Sequence, residues 1–197
     1  KVLYTSMLRG MGMPTTETQA VAHKDRGFGA INTLQNAQDV ARFLKTEAGY
    51  PIFAKPLEGM KSVGSALLVG VDAQRGTVEM GNGTSFDIDT FAQEIFIDHP
   101  QGFAFQTAVQ QHQAMTAIAG PVIGTLRFVT VIEEDEPRVL YAAWKVPSPN
   151  AMSDNFWQEG SMLGSIDVET GKVSHAVKGG GLERQILEQH PVSGKSF

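Results

Sequence analysis

The sequence predicts an α+β fold built on two antiparallel sheets. Three observations predict it. Short apolar runs come in groups joined by turn residues, as hairpins do; amphipathic segments with helical spacing interrupt these groups; and glycine and proline punctuate the chain in place of any repeat, 21 of 197 residues being glycine, above the usual ~7%.

The apolar residues of 2–12 recur at helical spacing and end at Gly10 and Gly12, which predicts a short helix with a glycine stop. A strand is expected after Pro14, over 18–22. At 36–45 Asn36 stands where a capping side chain belongs, Val40, Phe43 and Leu44 share one face, and the helix should stop near Gly49. The apolar run 51–56 is closed by Pro56, as a strand ending abruptly in a loop would be. Segments 65–71 and 77–80 form a natural antiparallel pair around Asp72-Ala73-Gln74-Arg75-Gly76. Segment 86–97 is amphipathic, with Ile88, Phe91, Ile95 and Phe96 as its expected buried face, and 102–109 is a further strand. Segments 126–132 and 139–146 flank the acidic Glu133-Glu134-Asp135-Glu136-Pro137, a long hairpin with a solvated loop. A last hairpin joins 165–168 to 172–176 through Glu169-Thr170-Gly171.

Composition narrows the function classes. With 16 Lys and Arg against 21 Asp and Glu the net charge is −5, and 19% charged with 42% hydrophobic residues describe an ordinary soluble domain. The basic excess that phosphate-backbone binding demands is missing, so nucleic acid is not an expected partner. No apolar run approaches the roughly 20 residues of a bilayer span, and the first residues lack a signal-peptide core, so no membrane association and a cytoplasmic location are expected. Cysteine is absent, which removes disulfides, thiol catalysis and thiolate zinc sites. His23, His99, His112, His175 and His190 show no metal-ligand spacing. No Gly-x-Ser-x-Gly elbow occurs. Trp144, Trp157 and the methionines suit a core or a pocket lining. A homo-oligomeric state stays open.

Lys55 ends an apolar strand and is followed by Pro56-Leu57-Glu58-Gly59-Met60-Lys61-Ser62-Val63-Gly64-Ser65. A fixed ammonium beside a Gly/Ser loop whose backbone N–H groups face outward suits a nucleotide polyphosphate. It is not a Walker A loop, for no Gly-Lys-Ser or Gly-Lys-Thr occurs, nor a dinucleotide fingerprint, for the loop leads into a strand. A β-turn beside an exposed lysine is the other reading. Arg127 lies mid-strand and points away from its neighbours Leu126 and Phe128, which suits a surface residue equally well.

Taken together, the motifs resemble the ATP-grasp superfamily, and more narrowly the sugar-transfer-associated group related to α-L-glutamate ligases. The resemblance runs over nearly the whole chain. It is carried by Lys1 with Leu8, Gly10, Met11, Gly12, Met13, Pro14 and Thr15; by Phe53-Ala54-Lys55-Pro56 with the 59–65 loop; and by Phe105-Gln106-Thr107-Ala108-Val109. Its most distinctive stretches are Gly124-Thr125-Leu126-Arg127-Phe128-Val129-Thr130 and the run Asp154-Asn155-Phe156, Gly160, then Ile166-Asp167-Val168-Glu169-Thr170-Gly171.

The resemblance implies an ATP-dependent carboxylate–amine ligase working through an acylphosphate, with a nucleotide cleft enclosed by two antiparallel-sheet subdomains. Residues 1–13 would be the lead-in helix, 14–108 the lid, and 109–197 the beginning of the C-terminal subdomain. Lys1 and Lys55 would contact the α/β-phosphates, and the backbone of Ser62, Val63, Gly64 and Ser65 would close over the β/γ-phosphates. Backbone groups of Thr107 and Val109 would meet adenine, with Gln106 and His112 as further purine and ribose contacts. Arg127 would reach the γ-phosphate and the acylphosphate, for which a planar guanidinium fork is suited. Asn155 and Gly160 would lie near the transferred phosphate or the substrate carboxylate, with Ser161 standing where the group's second glycine is expected. The implied cofactors are ATP and Mg²⁺, the partners a small carboxylate and a small amine.

In this superfamily the Mg²⁺ ligands follow a segment like His190-Pro191-Val192-Ser193-Gly194, so they are expected beyond Phe197. Asp167 and Glu169 are better explained as turn residues. A chain that opens on Lys1 and closes before those ligands reads as a piece of a larger enzyme. The alternative is a non-catalytic nucleotide-binding or regulatory module without the metal site.

Overall fold

The computed structural model describes residues 2–59, 62–155 and 158–197. The chain divides into two compact units, Lys1–Val109 and Gln110–Phe197, each with its own sheet.

The first unit contains α1 (Val2–Gly10), β1 (Thr18–Ala22), β2 (Asn32–Leu34), α2 (Ala37–Arg42), β3 (Ile52–Pro56), β4 (Ala66–Asp72), β5 (Thr77–Met80), β6 (Ser85–Asp87), α3 (Ile88–Asp98) and β7 (Phe103–Thr107). Its seven strands lie in the order β2-β1-β7-β3-β4-β5-β6. All pairings are antiparallel except β1 with β2; the sheet is therefore mixed, and the short β2 was not expected. β7 is central, and its Phe103, Ala104, Phe105 and Gln106 are all buried. A strand covered on both faces loses the polar/apolar alternation and reads as a continuous apolar run. On one face Val21 and Ala104 pack with Val2 of α1. On the other, Phe105 meets Phe43 at 5.4 Å and Phe103 at 5.6 Å between ring centroids.

α2 starts as expected: the Asn36 side chain accepts from the Asp39 N–H at 2.9 Å. Beyond Arg42 the chain turns into a π-type turn, Phe43–Glu47, instead of continuing as α-helix. The wider turn leaves both Phe43 and Leu44 buried, and Tyr50 Oη donates to the Leu44 carbonyl at 2.9 Å. In α3 the buried residues are Ile88, Ala92 and Ile95, with Phe91 and Phe96 half-buried. Spacing of four and three puts Ala92 on the seam between them, while Phe86 belongs to β6 and is exposed.

The second unit contains α4 (Gln113–Ala119), β8 (Thr125–Glu133), β9 (Glu136–Val146), β10 (Met162–Ile166), β11 (Val173–Lys178) and β12 (Gln185–Leu187). The strands lie in the order β12-β11-β10-β9-β8, with every neighbouring pair antiparallel. Its core joins Ala119, Trp144, Val146, Met162 and Ala176. The loop expected over 133–137 shrinks to Glu134 and Asp135, both left-handed at φ 50° and 65°, because a two-residue hairpin turn of that hand matches the strand twist. In the last hairpin the Asp167 carboxylate accepts from the Thr170 N–H and hydroxyl, both at 2.7 Å. These donors hold its carboxyl below the usual carboxylate range, which is the chemistry of a turn residue.

Candidate functional site

In the first unit, strand alternation sends Ile52, Ala54 and Pro56 into the core and leaves Phe53 and Lys55 half-buried on the opposite face. Phe53 stands opposite Gln106 and Lys55 opposite Ala104, so Lys55, Phe53 and Gln106 share a face. Lys55 Nζ lies 5.7 Å from the centre of the Phe53 ring. Gln106 is buried and its amide donates to Thr18 Oγ1 at 3.0 Å. The turn 62–65 follows: Ser62 is left-handed at φ 57°, the Ser65 N–H donates to the Ser62 carbonyl at 3.2 Å, and Val63 is exposed. A side chain at Gly64 would strike Pro56 and His99 at 3.0–3.2 Å, so this turn is packed against the end of β3. Lys1 lies outside the described residues, as do Met60 and Lys61 within the loop.

At the end of β7 the Thr107 N–H donates to the Glu17 carbonyl at 2.9 Å and the Ala108 N–H to the Pro51 carbonyl at 3.0 Å. Thr107 Oγ1 accepts from Gln19 at 3.0 Å. Val109 is exposed.

In the second unit, His112 caps α4, its Nδ1 accepting from the Ala114 N–H at 3.3 Å. Arg127 is exposed on β8 and, among the described residues, forms no ion pair. Register pairs Thr125 with Lys145 and Arg127 with Ala143. Residues directly opposite and two apart share a face, with diagonal neighbours about 7–8 Å apart, so Arg127 and Lys145 present two cations on one side of the hairpin. Trp144 and Val146 face the core on the other. Lys145 Nζ donates to Asp154 Oδ2 at 2.8 Å, their side chains being only 23% and 16% exposed, and Thr125 Oγ1 bonds the same oxygen. Sequence reading missed Lys145. Its signal was the parity that puts it on the face of Arg127 across the hairpin, which needs the register to be legible.

The loop after Asp154 is closed by its own polar groups. The Asn155 carbonyl accepts from the Gln158 N–H and from Ser161 Oγ, both at 3.0 Å. Ser161 is buried, so where the resemblance expects a glycine the serine hydroxyl ties the loop together. Gly160, at φ 85°, precedes it. Phe156 and Trp157 lie outside the described residues.

Among the described residues no three His, Asp or Glu side chains gather closely enough to hold a metal ion. The described residues therefore do not by themselves supply a Mg²⁺ site of three protein ligands. No helix among them is long and apolar enough to cross a membrane.

Two α+β units, one with half-buried Lys55 on a seven-stranded sheet and one with Arg127 and Lys145 on one face of a five-stranded sheet, have the architecture of an ATP-grasp protein. The chain belongs to the sugar-transfer associated ATP-grasp family, whose model matches residues 1–197. At the family level this is a nucleotide-binding, ATP-grasp-like role. Neither the curated proteins nor the solved structures gave a significant match.

Proposed function

We propose that the chain is the ATP-binding part of a carboxylate–amine ligase that works through an acylphosphate. The observation that carries this reading is the cationic face of the second unit, where exposed Arg127 and half-buried Lys145 stand side by side across one hairpin. A substrate carboxylate oxygen attacks the γ-phosphorus of ATP and ADP leaves; the amine nitrogen then attacks the acyl carbon, phosphate departs with the bonding electrons, and the nitrogen gives up a proton. Both steps concentrate negative charge on the transferred phosphoryl group. Arg127 supplies a fork of donors to it. Lys145, held by Asp154, whose carboxylate Thr125 also bonds, adds a second ammonium donor of fixed position.

In the first unit, strand β3 aims Lys55 at the α/β-phosphates, and the 62–65 turn adds backbone donors from Ser62, Val63 and Gly64. Because the Thr107 N–H is already engaged, Thr107 serves adenine through its carbonyl and Val109 through its N–H. Gln106 is held by Thr18, so it shapes the purine wall, and the His112 cap leaves Nε2 toward the ribose. Asn155 and Gly160 face the substrate carboxylate. Lys1 is assigned to phosphate on the family resemblance alone. A second reading, a nucleotide-binding module without ligase activity, is favoured by the missing metal cluster among the described residues.

The test is trapping of the acylphosphate with hydroxylamine. Incubation of the complete gene product with ATP, Mg²⁺ and a panel of carboxylic acids should give a hydroxamate and ADP in equal amounts. ATP binding in calorimetry with no hydroxamate from any acid would leave the non-catalytic module standing.

A further inference from the structure

Among the described residues the two sheets have four edges, and three of them are short. β2 and β6 close the first sheet and β12 one side of the second, each only three residues long. β8 closes the other side of the second sheet and runs nine residues, Thr125–Glu133, all exposed except half-buried Val129. The unpaired N–H and C=O groups of an edge accept another strand, and folded proteins blunt the edge by shortening it, bulging it or setting lysine or proline in it. β8 uses none of these devices. It contains no proline, glycine or lysine, and the irregularity in its pairing lies on β9, where Leu140 is the extra residue between Val139 and Tyr141. Its own alternation is unbroken: Leu126, Phe128, Thr130 and Ile132 lie on the face of Trp144, and Arg127, Val129, Val131 and Glu133 on the other. Leu126, Phe128, Val131 and Ile132 are 40–72% exposed.

This strand is complementary to itself. From Arg127 to Glu133 the order is cation, aromatic, valine, threonine, valine, aliphatic, anion. Laid antiparallel on a second copy about a twofold axis at Thr130, it sets Arg127 opposite Glu133, Phe128 opposite Ile132, Val129 opposite Val131 and Thr130 opposite Thr130. Opposite charges, aromatic with β-branched side chains and threonine with threonine are the cross-strand pairs that stabilise antiparallel neighbours. An axis at Val129 would lose both charge pairs, with Arg127 opposite Val131 and Glu133 opposite Thr125. Glu133 can exchange partners: its bridge to Arg138 joins side chains 58% and 64% exposed, and a pair so solvated is worth little.

We propose that β8 pairs with β8 of a second copy, antiparallel about Thr130, joining two five-stranded sheets into one. The pairing does not depend on the ligase reading. A guanidinium carries five donors, so Arg127 meets Glu133 of the second copy along one edge and keeps donors for a phosphoryl group. A single strand pair is a small interface, below the ~1,200 Å² at which stable ones begin, so the dimer is concentration-dependent.

The experiment is sedimentation velocity on the full chain from about 1 to 200 µM, a span that brackets a micromolar dissociation constant. Monomer should give way to dimer across it. Arg127→Glu and Glu133→Arg each set like charges opposite one another twice and should weaken the dimer at least tenfold, while the two together should restore it. Cysteine is absent from the chain, so one introduced thiol reports on itself alone. Thr130→Cys faces its own copy across the axis, at a Cα separation of about 4.5–5.5 Å that a disulfide can span, and mild oxidation should give a covalent dimer. Ile132→Cys, roughly 14 Å from its copy, should not. Unchanged thermal midpoints certify the fold of each variant. A chain that stays monomeric throughout overturns the proposal, and β8 amides protected from hydrogen exchange in that monomer would mean that its own chain covers the edge. A dimer indifferent to the charge variants, or one that cross-links no better at 130 than at 132, overturns it as well.

Discussion

Lys145 and Asp154 meet at 2.8 Å across nine residues of chain, each less than a quarter exposed, on the face of the hairpin that also carries Arg127. A pair so shielded from solvent is stronger than a surface bridge but leaves a charge stranded when one partner is removed. Lys145→Met should cost about 1–2 kcal/mol of stability. Adding Asp154→Asn should recover part of that loss, which a double-mutant cycle of urea denaturations measures; strict additivity would mean that the two side chains do not interact.

Lys55→Ala should weaken ATP binding at least tenfold, about 1.4 kcal/mol, while changing the thermal midpoint little, because the side chain stands on the half-buried face of β3. Calorimetry with ATP checks this, and an unchanged dissociation constant would remove Lys55 from the site.

Arg127→Ala should separate turnover from binding. An interaction made mainly with the transferred phosphoryl group lowers kcat more than it raises the dissociation constant of ATP. Steady-state ADP release with the complete gene product measures the first, and calorimetry the second. Equal losses in both would place Arg127 on the ground-state nucleotide.

His190 gives the second unit a pH response. Its Nδ1 accepts from the N–H groups of Val192 and Ser193, both at 3.3 Å, so the proton sits on Nε2, which is buried and without a partner among the described residues. The ring packs against Phe197 at 6.0 Å. Burial holds its pKa below the ordinary 6.5 by disfavouring the charged form. The unfolded chain therefore binds more protons between the lowered value and about 6.5, and stability must rise with pH through that window and level off above it. Urea denaturations from pH 5 to 7.5 should show this slope, and His190→Gln should flatten it.

Gly124→Ala tests how tightly β8 is laid on the core. A Cβ there would sit 2.6 Å from Trp144 Nε1 and 2.8 Å from the Lys145 carbonyl oxygen, so backbone or indole must move, at a cost of about 1–3 kcal/mol. The fall in the thermal midpoint measures it.

Local chemistry was legible wherever one residue acts on its near neighbours. Asn36 announced its helix because its side chain bonds an amide three residues on, Pro56 marked the end of β3, and the 72–76 turn marked the β4–β5 connection, where Asp72 pairs with Thr77. The short β2 and β12 were not legible, since three-residue strands carry no period of their own and exist only because β1 and β11 offer them a free edge. The π-type turn after α2 likewise follows from burying Phe43 and Leu44 together, which no propensity records.

The site divides along the same line. From residue types and order alone came the α+β class, the two sheets and the family, with Lys55 and Arg127 as candidate cations, because a family motif is a string and alternation along a strand is local. Tertiary structure alone decided that Lys145 joins Arg127 and that Ser161 closes the 154–161 loop through its hydroxyl. Those relationships depend on which residue of one strand stands opposite which residue of the next. Register is set by the packing of the whole sheet, and a slip of a single residue would turn every one of these side chains to the other face.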